Sequence, residues 1–261
     1  MMRTLFIIVS LLTSFKITAN PGQFDMPTRQ GECSRTAYFA YIKAGSVDAL
    51  KKHITPKADH IKALEKHGIS NVSFWLDQIG EKTIVICYHR IANQHPDKAW
   101  TAAMADPDLH PWMKACNSYL VKKDEQPAWE RMETLCLITR KEAMHDKEGN
   151  PLPLVSRHMA ATILKPEKEM DYRLLHQNMW QGVSETIGAC KIPVFDLFLT
   201  EIDGQLIEIY YFDYVGSDLD ASFKKMAADP ITRRWWKLTD PCQSPLPGAP
   251  EGNNWRDCNP M

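Results

Sequence analysis

"FDLFLTEIDGQLIEIYYF", residues 195–212, reads as two strands folded about a tight turn. Strands are predicted over 193–201 and 205–214. Asp203-Gly204, inside "EIDGQ", is the dipeptide that tolerates the left-handed backbone of a two-residue hairpin. A strand is predicted before this hairpin at 157–165, then a helix over 167–188 in "PEKEMDYRLLHQNMWQGVSETIG". Helices follow near 217–228 and 230–238.

The same grammar occurs earlier in the chain, and repeats decide folds. Offset by 123 residues, Asp48 falls on Asp171, His53 on His176, Leu76 on Leu199 and Tyr88 on Tyr211. Trp100 meets Phe223, Asp106-Pro107 meets Asp229-Pro230, Trp112 meets Trp235 and Lys114 meets Lys237. The register runs without a gap from about residue 48 to 114 and includes rare residue types, so a tandem duplication is expected. The first copy reads as a strand at 35–43, one long helix over 46–67 ending at Gly68, and strands at 71–78 and 82–91. Short helices at 97–105 and 107–120 follow, and a strand at 132–140 closes the copy.

Strand–helix–strand–strand–helix–strand is the ferredoxin-like plan, an antiparallel sheet with helices on one face. The expected fold is therefore α+β, with two tandem ferredoxin-like units whose open faces meet as in a dimeric α+β barrel, within one chain. The expected divisions are a signal peptide at 1–19, an N-terminal segment at 20–34 and a first unit at 35–141. A linker at 142–155, a second unit at 156–240 and a tail at 241–261 follow. The second copy has no obvious closing strand, since "GNNWRDCNPM" is a poor one, so it is expected to end irregularly.

Composition bounds the function. The chain has 261 residues, 44% of them hydrophobic and 24% charged, which is ordinary globular composition. A net charge of -1 gives no bulk attraction to nucleic acid or anionic membrane. The nine histidines are scattered, with no HxxxH or CxxC pair to suggest zinc. Arg3 and the apolar run at 5–15 resemble a signal-peptide h-region, too short to span a bilayer comfortably. Export with cleavage near Ala19, to the periplasm or beyond, is expected, with no later membrane span. In an oxidising compartment the seven cysteines could pair. Cys87, Cys136 and Cys190 read as core thiols, and Cys242–Cys258 is the expected bridge.

Tyr172 and His176 are four apart on one helix, so they share a face, with Trp180 one turn on. Leu175, Met179 and Val183 supply the apolar stripe beside them. Imidazole exchanges protons near neutrality, a phenol donates and accepts hydrogen bonds, and indoles offer flat apolar faces. Trp235 and Trp236 cannot both face the core, because adjacent helical residues point about 100° apart. The set suits a small polar molecule with an apolar face, such as a sugar.

"DYRLLHQNMW", then "FDLFLTEIDGQLIEIYYF", then "ADPITRRWWKL" resembles the L-rhamnose mutarotase family. The resemblance covers residues 157–240 well and 35–140 more weakly. It implies a dimeric α+β barrel of ferredoxin-like units. It implies His176 as acid/base, Tyr172 as a sugar contact and Trp235 with Trp236 as the binding platform. Phe195 stands where the family has a tyrosine on the second strand, and Trp180 joins the expected contacts. Ala49 replaces the tyrosine in the first copy, and Pro111-Trp112-Met113 stands for the tryptophan pair, so that copy is expected to be structural. The expected activity is interconversion of sugar anomers, of L-rhamnose or a related 6-deoxyhexose, with no metal or cofactor. The expected partner is a monosaccharide and the expected assembly an intramolecular pseudo-dimer. A non-catalytic sugar-binding module and another barrel enzyme of oxygenase or isomerase type are the rival readings.

Overall fold

The central hairpin forms as its sequence dictates. In the computed structural model Asp203 and Gly204 have φ of 53° and 73°, both left-handed, as a two-residue turn between right-twisted strands requires. The structure describes residues 33–92, 94–123, 126–127 and 129–261. The apolar run at 5–15 and Ala19 lie outside them, as do the other residues before 33. Among the described residues, no helix is long and apolar enough to cross a membrane.

The chain divides into two units. One comprises the described residues to Phe74, with Thr83–Arg131 and Met261; the other comprises Trp75–Lys82 and Met132–Pro260.

The first unit contains β1 (Cys33–Tyr41), α1 (Val47–Ile54), α2 (Ala58–Lys66), β2 (Ile69–Ile79) up to Phe74, β3 (Lys82–Ala92) from Thr83, α3 (Pro96–Ala105), α4 (His110–Asn117) and β4 (Glu130–Arg131). Its strand order is β2-β3-β1-β4. The expected single helix over 46–67 is two helices. Pro56 has no N–H and drives the preceding Thr55 out of the helical region, to ψ 118°, and Lys57, extended at ψ 167°, is the N-cap of the second helix.

The second unit contains β5 (Glu133–Thr139), β6 (Ser156–Leu164), α5 (Glu169–Gln177), α6 (Gln181–Ala189), β7 (Val194–Ile202), β8 (Gln205–Tyr214), α7 (Leu219–Ala228), α8 (Pro230–Thr239), β9 (Gln243–Ser244), β10 (Arg256–Asp257) and β11 (Asn259–Pro260). Its sheet runs β9-β6-β8-β7-β5, all antiparallel neighbours, with β10 also on the β6 edge. The expected helix over 167–188 also breaks in two. The Asn178 side chain bonds back to the Leu174 carbonyl at 3.1 Å, and Asn178 itself leaves the helical region.

Three further expectations change. The strand expected to close the first copy, 132–140, is β5, and it pairs with β7 instead, Ile138 opposite Phe195. Its Leu135, Cys136 and Ile138 pack into the second unit's core, which is what draws it there. The C-terminal segment is irregular over 245–255, as expected, but two-residue strands on either side of that stretch dock it on the sheets. β10 pairs with Ala160 and Ala161, and β11 with Trp75 and Leu76, because backbone pairing needs little side-chain propensity. Cys242 and Cys258 are buried free thiols, not a bridge. Cys242 Sγ faces the Leu238 carbonyl at 3.4 Å and Cys258 Sγ faces Asp77 at 3.7 Å.

Matching elements keep a constant spacing. β1 and β6, α2 and α6, and α3 and α7 each have bounds 123 residues apart.

Candidate active site

Two helices build the site in the second unit. α5 starts with Glu169 and Asp171, whose charges suit a helix N-terminus. Arg173 bonds Glu169 at 2.8 Å and Glu133 on β5 at 2.9 Å, which fixes the helix against the sheet. This turns Tyr172 and His176 inward, and both are buried. α8 begins at Pro230, and the Asp229 side chain accepts from Thr232 N at 2.7 Å as its N-cap.

These elements enclose a cavity of about 590 Å³. Tyr172, His176, Phe195, Trp235 and Trp236 all line it. The adjacent tryptophans divide their work. Trp235 is 5% exposed and belongs to the core cluster, its ring edge-on to His176 at 5.2 Å. Trp236 is half-buried on the same wall. Trp180 is not among the walls. It packs edge-on behind Trp235 at 5.6 Å, with the Arg234 guanidinium 5.5 Å from its ring centre.

His176 Nδ1 lies 3.0 Å from the Tyr172 carbonyl oxygen. A carbonyl only accepts, so Nδ1 carries the proton and Nε2 holds the lone pair. Burial lowers the His176 pKa to about 4, partly offset by that hydrogen bond. At neutral pH His176 is therefore an uncharged base.

Several residues on or behind the wall escaped the sequence reading. Tyr172 Oη meets Glu208 at 2.6 Å and Gln243 Nε2 at 3.0 Å. Gln243, Asn254, Trp255 and Asp257 come from the C-terminal segment, and Tyr210 from β8 stacks obliquely on Trp255 at 4.7 Å. Glu208 had one signal: an acid inside the apolar strand "LIEIYYF". The C-terminal residues had none, because their segment pairs only through short strands. No lysine or arginine is among the described residues lining the cavity.

The first unit differs. At the spacing of 123, Ala49, Val85 and Leu120 stand for Tyr172, Glu208 and Gln243. His53 keeps the matching bond, Nδ1 to the Ala49 carbonyl at 2.8 Å, but is exposed. The cavity there is about 70 Å³ and lined by Tyr38, Cys87, Trp100, Trp112 and Met113 among others.

Comparison with known proteins concerns the same stretch of the chain. Residues 157–261 match the family model described as L-rhamnose mutarotase. An L-rhamnose mutarotase of Shouchella clausii (strain KSM-K16) is 30% identical over 83 residues, 31% of this chain and 75% of that protein. One from Bacillus subtilis (strain 168) is 25% identical over 87 residues, 33% of this chain and 79% of that protein. In fold, the chain is similar to a crystal structure of a putative monooxygenase from Fusobacterium nucleatum. The TM-score is 0.51 at 10% identity, covering 90% of this chain and 93% of that one. At that identity the likeness shows the fold alone, a mixed α+β fold of antiparallel sheets.

Proposed function

The chain belongs to the L-rhamnose mutarotase family, and from that premise we propose that it is a sugar mutarotase. It interconverts the α and β anomers of L-rhamnose or a related 6-deoxyhexose. The observation that carries this reading is the uncharged His176, its Nε2 lone pair available in the wall of a cavity that also holds Tyr172 and Trp236. A wall without lysine or arginine fits a neutral sugar better than a phosphorylated or acidic one.

Anomer exchange needs one proton removed and one supplied. His176 Nε2 takes the proton of the anomeric hydroxyl while a wall hydroxyl or water gives a proton to the ring oxygen, to be taken back when the ring closes. The C1–ring oxygen bond breaks, C1 turns, and the carbonyl is attacked again from either face. His176 then returns its proton to O1. The reaction already proceeds in water, so acid–base help of about 10²–10⁴ suffices. Trp236 offers an aromatic face to the sugar's C–H surface, and Phe195 presents an apolar ring where the family has a phenol.

The two units read as tandem copies of one ferredoxin-like unit, of which the second keeps the site. The constant spacing of matching elements supports this. NMR saturation exchange between α- and β-L-rhamnose tests the activity. Accelerated exchange that His176→Asn abolishes is the expected result; binding without acceleration would replace an enzyme by a sugar-binding module.

A further inference from the structure

Glu208 is a fully buried acid on β8 with two uncharged partners. Tyr172 Oη lies 2.6 Å from Oε1, and Gln243 Nε2 donates to Oε2 at 2.9 Å. Gln243 Nε2 also donates to Tyr172 Oη at 3.0 Å, and Asn254 Nδ2 donates to Gln243 Oε1 at 3.5 Å, which fixes the way the carboxamide faces. Both amide protons of Gln243 are thereby used.

This leaves the phenol two states. A tyrosine hydroxyl has one proton and two lone pairs. With Glu208 ionised, the Tyr172 proton points at Oε1 and one lone pair accepts from Gln243. Toward the cavity the oxygen can then only accept. With Glu208 protonated, Oε2 still faces the amide, so the acid proton sits on Oε1 and points at Tyr172 Oη. The phenol then accepts from both neighbours, and its own proton is free to enter the cavity.

We propose that Glu208 is a positioning residue that stores the proton for ring opening and passes it through Tyr172 to the sugar's ring oxygen, opposite His176 as base. This rests on the mutarotase reading of the same cavity. The protons balance. Tyr172 Oη–H goes to the ring oxygen as Glu208 Oε1–H goes to Tyr172 Oη, and the anomeric hydroxyl proton goes to His176 Nε2. The C1–ring oxygen bond breaks and the C1–O1 carbonyl forms. After C1 turns, each transfer reverses, and no net proton is consumed.

The environment of Glu208 suits the role. The groups facing it are Tyr172 from α5, Gln243 and Cys242 from the C-terminal segment, and Thr162 on β6 and Leu199 on β7 across the ladder. None of them is a cation. Burial raises the Glu208 pKa to about 7, partly offset by the hydrogen bonds of Tyr172 and Gln243. The same desolvation lowers His176 to about 4. Between the two values the acid is loaded and the base is empty, with no charge in either group. The first unit, with Ala49, Val85 and Leu120 at these positions, has no such chain.

The test is anomer exchange of L-rhamnose by NMR, across pH, for the full chain and for Glu208→Gln and Glu208→Asp. The full chain is expected to show a bell with limbs near about 4 and about 7. Glutamine can accept from Tyr172 but cannot release a proton. Glu208→Gln is expected to lower kcat about tenfold or more, with KM within about twofold, and to erase the upper limb. Glu208→Asp is expected to restore that limb. Should Glu208→Gln fail to fold, infrared titration of the unaltered protein replaces it: a buried carboxylic C=O band must disappear as pH rises through about 7. An active enzyme whose Glu208→Gln form keeps the same rate and upper limb, or a protein with no such band at any pH, overturns the relay while leaving the mutarotase reading intact. A full chain without accelerated exchange overturns both.

Discussion

The ring of His176 lies 4.3 Å from that of Tyr172, and its Nδ1 reaches back 3.0 Å to the carbonyl of the same residue. One helical turn thus fixes both the orientation of the imidazole and its tautomer. His176→Asn retains a polar side chain but cannot cycle a proton near neutrality. It is expected to slow anomer exchange about 10²-fold or more. Circular dichroism on the same samples verifies the fold.

The two tryptophans are expected to separate stability from affinity. Trp235 is 5% exposed and buttressed by Trp180, so Trp235→Ala should destabilise by about 3–5 kcal/mol. Trp236 is half-buried on the cavity wall, so Trp236→Ala should weaken sugar binding with little change in Tm. Thermal melts and sugar titrations of the two single variants measure both. Equal loss of stability with unchanged affinity would make both rings structural.

His53 is expected to be nearly idle. It copies the backbone hydrogen bond of His176 but is exposed and has Ala49 in place of the phenol. A base without an oriented substrate gains nothing from proximity. His53→Asn should change the exchange rate by less than about threefold, as a surface change would. A large loss in a folded protein would move the site to the first unit.

Much of this arrangement is legible in the sequence alone. The Asp203-Gly204 hairpin, the YxxxH spacing and the 123-residue register are local or arithmetic signals, and each rests on few residues. What could not be read was set by distant pairing. β5 looks like a closing strand of the first copy until its partner, β7, is known. Gln243 and Trp255 enter the site only because β9 and β10 dock on one edge of β6. The two-helix breaks were visible in principle at Pro56, but at Asn178 they depend on a side chain bonding its own backbone. Trp180 fell on the correct face of the pattern yet stands behind Trp235 rather than beside the cavity.

Glu208 should also leave a mark on stability. Its folded pKa, about 7, lies above the ordinary 4.5 of a glutamate, so folding binds its proton more tightly. Its contribution is complete below about 4.5 and is lost as pH rises through about 7, a change on the order of 3 kcal/mol. Across that window Tm of the unaltered protein should fall relative to that of Glu208→Gln. Parallel Tm profiles for the two proteins would show that Glu208 titrates alike in the folded and unfolded chain.

The most direct measurement is NMR saturation exchange between α- and β-L-rhamnose, at neutral pH, with and without the protein. Exchange faster than in buffer, reduced about 10²-fold by His176→Asn and nearly untouched by His53→Asn, is the result expected of a mutarotase whose working site is in the second unit. Exchange at the buffer rate in the presence of folded, sugar-binding protein would contradict it.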